Sequence, residues 1–150
     1  MKPDSKDIFF VAVQFFLFGL FFFNLNSLNF GVSDVLQLIG SVVFVIGMLI
    51  VFLSVLRLNR NLSAFPTPKK DGNLIETGLY KYIRHPIYTG IVAAALGFSV
   101  YSGSGFRLIV TLLLLILFYF KSKYEEQKLI EVFSDYKAYM KRTGRFLPKL

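Results

Sequence analysis

Four long apolar stretches, separated by short polar segments, set the pattern of this chain. They are Ile8–Leu25, Val35–Leu56, Ile87–Tyr101 and Leu108–Phe120. The second carries no charged side chain, and the first contains only Gln14 and Asn24 as clearly polar residues. Because a helix that crosses a bilayer needs about 20 mainly apolar residues, the pattern predicts an all-α integral membrane protein with about four transmembrane helices.

The third and fourth stretches are separated by Ser102–Gly105, a sequence typical of a tight turn. We therefore expect a helical hairpin whose two outer ends lie on the same face of the membrane. Leu108–Phe120 is short for a full crossing, so the hairpin is tilted, lies in thin bilayer or enters the membrane only partly. The small residues Ala93–Ala95 and Gly97 predict either close packing on another helix or a lateral opening for a lipid.

After Phe120 the sequence predicts a basic amphipathic helix over Ser122–Arg142, on the cytoplasmic face. Its apolar stripe follows the helical period, and Thr143 and Gly144 mark its end. The stripe consists of Leu129, Val132, Phe133, Tyr136 and Met140. A helix of this kind lies along the membrane surface or packs against the neighbouring loop.

Composition supports a membrane protein and excludes several classes of function. Hydrophobic residues make up 55% of the 150 residues and charged residues only 17%, against about 25% in an ordinary soluble domain. This excess of apolar side chains excludes both a soluble enzyme and a disordered chain. The chain has no cysteine and one histidine, which excludes disulfides, a cysteine nucleophile and a metal site built from several Cys or His ligands.

The basic residues are distributed asymmetrically along the chain. Every lysine and arginine except Arg107 lies in the N-terminal segment, in the Arg57–Arg84 loop or in the tail after Phe120. By the positive-inside rule these three segments are cytoplasmic, and Asn24–Asp34 and Ser102–Gly105 lie on the other side. The net charge of +8 therefore reflects membrane topology, and no nucleic-acid partner is expected.

Two polar clusters are candidates for chemistry. The first runs from Gly78 to Gly90, where the loop leads into the third helix, and Pro86 suits the first turn of that helix. Its tyrosines and basic residues are also typical of an interfacial anchor. The second cluster is Glu125–Glu126, whose negative charge also favours a helix N-terminus. Because the helical angle turns Glu126 toward the apolar stripe, we expect this carboxylate to contact a buried partner.

These clusters carry a resemblance to a known family. Gly78-Leu79-Tyr80 followed by Arg84-His85-Pro86-x-Tyr88-x-Gly90 resembles the cofactor motif of the isoprenylcysteine carboxyl methyltransferase family and its phospholipid methyltransferase relatives. Glu125-Glu126-x-x-Leu129, after a hairpin, is similar to the second motif of that family. The resemblance extends from Asn61 to the C-terminus and includes Phe133, Tyr136, Tyr139, Arg145 and Pro148.

The resemblance implies a single membrane methyltransferase domain over residues 1–150, with two N-terminal membrane helices in 1–58 and a cofactor-binding catalytic core in 59–150. It implies S-adenosylmethionine as the cofactor, no metal, and a lipophilic methyl acceptor, which is an isoprenylcysteine-type carboxylate or a related lipid, thiol or amine. The implied cofactor-binding residues are Gly78, Leu79, Tyr80, His85, Pro86, Tyr88, Glu125 and Glu126. The implied catalytic residues are Arg84, His85 and Arg145.

Two other interpretations of the sequence stay open. Membrane sterol reductases that use NADPH share something like the Arg84-His85-Pro86-x-Tyr88 piece, which makes a membrane reductase the second interpretation. A non-enzymatic membrane subunit is the third, and in that case both motifs serve only as interfacial side chains.

Overall fold

The computed structural model describes residues 4–23, 25–68 and 72–149. It contains five α-helices in this part of the chain: α1 (Ser5–Phe21), α2 (Asp34–Leu58), α3 (Pro86–Tyr101), α4 (Gly105–Val132) and α5 (Tyr136–Arg142). Short 3-10 turns cover Asn26–Leu28, Asn59–Asn61 and Gly78–Lys81. No β-strand occurs among the described residues, which confirms the predicted all-α class.

Two helices of the described part, α2 and α4, are long and apolar enough to cross a membrane. They have 25 and 28 residues, and at a rise of about 1.5 Å per residue both exceed the hydrocarbon core of a bilayer. Large apolar side chains such as Leu38 and Leu112 are exposed on these helices, as a lipid-facing surface requires. α1 and α3 are shorter, with 17 and 16 residues, so four transmembrane helices remain a prediction.

α2 packs along α3 through small residues. Gly40 and Gly47 of α2 are buried against Gly97 and Gly90 of α3. A Cβ atom added at Gly47 would lie 2.7 Å from the carbonyl oxygen of Gly90, and Ala94 packs at the same level. The absence of side chains thus lets the two backbones approach closely. For Gly97 and Ala94 the structure supports close packing between helices.

The connection between α3 and α4 is the tight turn that the sequence predicts. α3 ends at Tyr101 and α4 begins at Gly105, and Gly103 has a φ of +58°, which favours glycine. The N–H of Phe30 donates to the carbonyl oxygen of Gly103 at 2.8 Å. This bond ties the turn to the α1–α2 connection, so both connections lie at one end of the fold.

The tail differs from its prediction. α4 continues past Phe120 to Val132, because no residue between them breaks a helix. Phe133 is extended (φ −115°, ψ 112°) and the helix restarts only at Tyr136. The predicted single helix over Ser122–Arg142 is therefore wrong: its first half is the end of α4, and its second half is the short α5. The break contains Ser134 and Asp135, two residue types that favour turns and helix caps over helix interiors.

The N-terminal residues, the loop after α2 and the tail lie at the end of the fold opposite the α1–α2 and α3–α4 connections. Asp4 caps α1, accepts a hydrogen bond from the Tyr124 hydroxyl and lies 3.0 Å from Lys128 Nζ. The Thr67 hydroxyl donates to the buried carboxylate of Asp7. The three segments predicted to share the cytoplasmic face thus meet in space, although the side of the membrane that they face remains a prediction.

Candidate functional site

The start of α3 is joined to the tail by backbone hydrogen bonds. The N–H of Arg84 donates to the carbonyl oxygen of Gly144 at 2.9 Å, and the N–H of His85 donates to that of Arg145 at 3.1 Å. Pro86 follows as the first residue of α3, as the sequence predicts. The predicted catalytic residues Arg84, His85 and Arg145 are therefore brought together by two paired backbone segments that are far apart along the chain.

Glu126 lies at the centre of a buried charge network. Arg84 Nε lies 2.7 Å from Glu126 Oε1, and an Arg145 guanidinium nitrogen lies 2.6 Å from Glu126 Oε2. His85 Nε2 lies 3.3 Å from Glu126 Oε1. The side chain of Glu126 is only 3% exposed, so its charge needs these partners in order to be buried. The expectation of a buried partner for Glu126 is confirmed.

The position of this glutamate within its helix corrects one interpretation of the sequence. Glu125 and Glu126 lie in the interior of α4, far from its first residue Gly105. Their charges therefore do not cap a helix N-terminus, and the capping interpretation is wrong. The error follows directly from the predicted helix start at Ser122, which the continuous α4 does not have.

Arg84 also links three helices, because a second nitrogen of its guanidinium group, Nη1, forms hydrogen bonds with the tail. It donates to the carbonyl oxygen of Met140 at 3.3 Å and also to the carbonyl oxygen of Thr143, at the C-terminal end of α5. The same side chain therefore joins the start of α3, the interior of α4 and the end of α5. On the tail, the hydrogen bond to Glu126 raises the pKa of Arg145 above its usual value, which keeps this guanidinium group charged.

Glu125 has a different environment from its neighbour. The Tyr88 hydroxyl donates to Glu125 Oε2 at 3.0 Å, and His85 Nδ1 lies 3.7 Å from the same oxygen. The rings of His85 and Tyr88 are stacked, with centroids 5.4 Å apart and planes 2° apart, and Tyr88 in turn stacks on Phe118 at 4.5 Å. These contacts fix the Tyr88 ring, while the Glu125 side chain remains 26% exposed.

A group of buried tyrosines closes the site on the side of α5. The Tyr139 hydroxyl donates to the carbonyl oxygen of Tyr80 at 2.6 Å, and the rings of Tyr136 and Tyr139 are in edge-to-face contact. Burial raises the pKa of all three hydroxyl groups above the ordinary tyrosine value. They are therefore neutral at physiological pH and act as hydrogen-bond donors and apolar walls.

Two adjoining cavities lie between these elements. Their walls are mainly apolar but include several polar side chains, and they are called the polar cavities below. One has a volume of about 110 Å³ and extends under the loop after α2, and the other has a volume of about 280 Å³ and extends between α1, α3 and α4. Both are lined by Leu58, Ser63, Tyr80, Arg84, His85 and Glu125. Tyr80, Arg84, His85 and Glu125, four residues singled out from the sequence, thus border both cavities.

The other predicted cofactor residues lie around these cavities in different ways. Tyr88 lines the larger cavity. Gly78, which has a φ of +63°, lies against the Arg57 side chain, and Leu79 belongs to the same 3-10 turn. Glu126, Gly78, Leu79 and Pro86 border neither of the two cavities.

Sequence reasoning missed several residues that line these cavities. Asn61 and Asn73 bring amide groups to the smaller one, and Gln14 of α1 and Lys121 of α4 border the larger one. The sequence offered one signal, because Gln14 is one of two clearly polar side chains in the first apolar stretch. A buried amide in such a stretch requires a polar partner.

A third, apolar cavity of about 290 Å³ lies between the helices. Ile91 borders both this cavity and the larger polar one. Its other lining residues come from four helices and are Phe18, Phe21, Phe22, Phe44, Met48, Val51, Ala94, Ala95, Phe98 and Leu114. A polar space and an apolar space thus meet at one side chain of α3.

Comparison with known proteins assigns the chain to a family. The family model described as phospholipid methyltransferase (PEMT) matches residues 35–136, more than half of the chain. No curated protein shows a significant match. The matched segment contains α2, α3, all of α4 and both sequence motifs, and it leaves α1 and Arg145 outside. The chain therefore belongs to the phospholipid methyltransferase family, which agrees with the resemblance found in its sequence.

Proposed function

We propose that this protein is a membrane methyltransferase that uses S-adenosylmethionine and methylates a lipophilic acceptor. The observation that carries the proposal is the convergence of both sequence motifs on the two adjoining polar cavities. Tyr80, Arg84, His85 and Glu125 border both of them. The family match favours methyl transfer over reduction with NADPH and over a purely structural role.

The residues around the smaller cavity fit the chemical groups of the cofactor. S-adenosylmethionine carries a cationic sulfonium, an ammonium group, ribose hydroxyls, a carboxylate and an aromatic base. The partly exposed carboxylate of Glu125 suits the ammonium group or the ribose hydroxyls, and the aromatic residues of the site suit the base. The guanidinium group of Arg84, which borders both cavities, suits the carboxylate of the cofactor.

The remaining predicted residues position those that make contact. Glu126 holds Arg84, His85 and Arg145 in fixed orientations, and the backbone bonds between the start of α3 and the tail fix their separation. When bound, the cofactor supplies an activated methyl group on a sulfonium. The protein supplies orientation and the exclusion of water, which can account for most of the acceleration of an in-line transfer.

The acceptor is expected to bridge the larger polar cavity and the apolar cavity. A reactive head in the polar cavity lies next to His85 and Glu125, and an apolar tail passes Ile91 into the space lined by phenylalanines. A carboxylate or thiolate acceptor is itself the nucleophile and needs no base. An amine acceptor must lose a proton, and Glu125 or His85 Nδ1 is placed to take it.

The topology of the proposal follows from the charge distribution. The N-terminus, the Arg57–Arg84 loop and the tail are cytoplasmic, in a multi-pass protein whose cofactor arrives from the cytoplasm. Single cysteines introduced into this cysteine-free chain test it. An impermeant thiol reagent should label Ser102→Cys in intact cells, and should label Lys81→Cys, at an exposed position of the loop, only after the cells are permeabilised. Labelling of Lys81→Cys in intact cells would contradict the topology.

The binding of the cofactor is tested most simply by ligand-dependent stability. S-adenosylhomocysteine, the product form, should raise the Tm of the protein in detergent, since a ligand at about 100 times its Kd stabilises the folded state by about 2.7 kcal/mol. NADPH at the same concentration should leave Tm unchanged. Stabilisation by NADPH alone would replace the methyltransferase with the reductase interpretation.

A further inference from the structure

Lys121 is a buried cation without an ion-pair partner among the residues that the structure describes. Its side chain lies in α4 and only 1% of the residue is exposed. Lysines near the end of an apolar stretch usually extend the ammonium group to water, and this one does not. Within the described residues it forms hydrogen bonds only with neutral acceptors: Nζ donates to Gln14 Oε1 at 2.5 Å and to the carbonyl oxygen of Ala64 at 2.8 Å.

The third N–H of this ammonium group has no protein acceptor in the described part of the chain, and Lys121 lines the larger polar cavity. Nζ lies 5.5 Å from the centre of the Tyr88 ring, which lines the same cavity. The carboxylates of Glu125 and Asp7 interact with the Lys121 charge electrostatically, but neither lies within ion-pair distance of it. A positive charge therefore faces a space large enough for a small polar group.

Gln14 and Ala64 fix the position of this charge. Gln14 is buried in α1, which lies outside the segment that the family model matches. Ala64 belongs to the loop that also bounds the cavity. Within the described residues only neutral groups contact the ammonium group directly, and the carboxylates of Glu125 and Asp7 act on it from a distance. An anion in the cavity would therefore lower the cost of burying this charge.

We propose that Lys121, held by Gln14 and Ala64, selects an anionic headgroup on the methyl acceptor. In this arrangement Lys121 contacts the carboxylate or phosphate of the acceptor's head, and the acceptor's tail lies in the apolar cavity beyond Ile91. This inference rests on the proposed function for its meaning, but its binding preference is measured without the cofactor. Lys121 of α4 is then a specificity-determining residue, and Gln14 of α1 holds it in position.

Binding of chemically matched probes tests the proposal. Laurate and dodecyl phosphate are the anionic probes, dodecanol the neutral one and dodecyltrimethylammonium the cationic one, each titrated into the full-length protein in non-ionic detergent. The anionic probes should bind at least about tenfold more tightly than the other two, as one charge-assisted hydrogen bond predicts. Equal affinities for all probes would overturn the proposal.

Inorganic phosphate, which has no tail, separates a lipid headgroup from a soluble anion. It should bind far more weakly than dodecyl phosphate, because the apolar cavity contributes nothing to it. If inorganic phosphate binds as tightly, the site takes a soluble anion and the assignment of an amphiphilic acceptor is overturned.

Variants test whether Lys121 is responsible for the preference for anionic probes. Lys121→Gln should abolish it, Lys121→Arg should keep most of it, and Lys123→Gln, an exposed lysine of the same helix, should leave it unchanged. Gln14→Glu should also abolish it, because a carboxylate placed next to Nζ competes with an external anion. This second variant decides the matter if Lys121→Gln fails to fold, since it supplies a partner for the cation.

S-adenosylhomocysteine binding is measured in parallel for each variant. If the preference for anionic probes disappears while S-adenosylhomocysteine still binds, Lys121 selects the acceptor as proposed. A preference that survives both Lys121→Gln and Gln14→Glu would show a purely structural lysine. Failure of the wild-type protein to bind S-adenosylhomocysteine would instead contradict the proposed function and leave the probe preference to stand by itself.

Discussion

The interface between α2 and α3 and the charge network around Glu126, which joins the start of α3 to α4 and the tail, hold α3 in place by different means. At the interface, Gly47 and Gly90 approach so closely that no side chain fits between them. In the network, a carboxylate that is 3% exposed is compensated by two guanidinium groups and an imidazole. The first depends on shape alone and the second on charge alone. A substitution that changes only one of these properties should therefore damage only one of the two regions.

The largest effect is expected from removing the charge of Glu126. Glu126→Gln keeps the shape of the side chain but leaves Arg84 and Arg145 without a counter-charge. Breaking a buried ion pair costs about 3–5 kcal/mol, and because Arg145 is 25% exposed we expect the lower end, a loss of about 3 kcal/mol. Thermal unfolding in detergent measures it, and an unchanged Tm would show that the network does not stabilise the fold.

A smaller loss is expected from adding one methyl group at the interface. Gly47→Ala places a Cβ atom 2.7 Å from the Gly90 carbonyl oxygen, a backbone atom that cannot move without shifting α3. We expect a loss of about 2 kcal/mol, typical of overpacking. Gly19→Ala is the matched control, because a Cβ atom there meets nothing within 4 Å. If the two variants unfold at the same temperature, the interface is not closely packed.

Glu125→Gln should separate contact with the cofactor from stability. Glu125 lines both polar cavities and is partly exposed, so its loss should change the free energy of unfolding by less than about 0.5 kcal/mol. The affinity for S-adenosylhomocysteine should nevertheless fall by about tenfold, as expected for one charge-assisted hydrogen bond. Isothermal titration measures this affinity. A variant that loses stability but keeps its affinity would exchange the roles of Glu125 and Glu126.

The smallest effect is expected from Tyr88→Phe. The ring keeps its stacking on His85 and Phe118, and only the hydrogen bond to Glu125 at 3.0 Å is lost. This bond joins two protein groups, so its loss should lower the free energy of unfolding by about 1 kcal/mol or less. Binding of S-adenosylhomocysteine should weaken by less than in Glu125→Gln, because the Glu125 carboxylate remains. A loss as large as that of Glu125→Gln would show that the tyrosine hydroxyl itself contacts the ligand.

The parts of the fold that could be predicted are those specified by neighbouring residues. The apolar stretches indicate the helices, Ser102–Gly105 indicates the turn between α3 and α4, and Pro86 marks the first residue of α3. The helical angle of Glu126 indicates its burial. Each of these predictions needs only a short segment of sequence and a known periodicity.

The parts that could not be predicted depend on residues far apart along the chain. The helical period continues across Ser134 and Asp135, so it does not show that α4 ends at Val132. The pairing of Glu126 with Arg84, 42 residues away, needs the fold to be known. The contact between Gln14 and Lys121 spans 107 residues, and no local pattern points from one to the other.

The central claim is that the site at the meeting point of α3, α4 and the tail transfers methyl groups to a lipophilic acceptor. The most direct measurement incubates the protein in lipid nanodiscs with S-adenosylmethionine carrying a tritiated methyl group, adds a membrane lipid extract, and counts the label in the organic phase. The account predicts label transfer by the wild-type protein and at least about tenfold less transfer by Glu125→Gln, which should remain folded. Equal transfer by both proteins, or none by a wild-type protein that is folded, would contradict it.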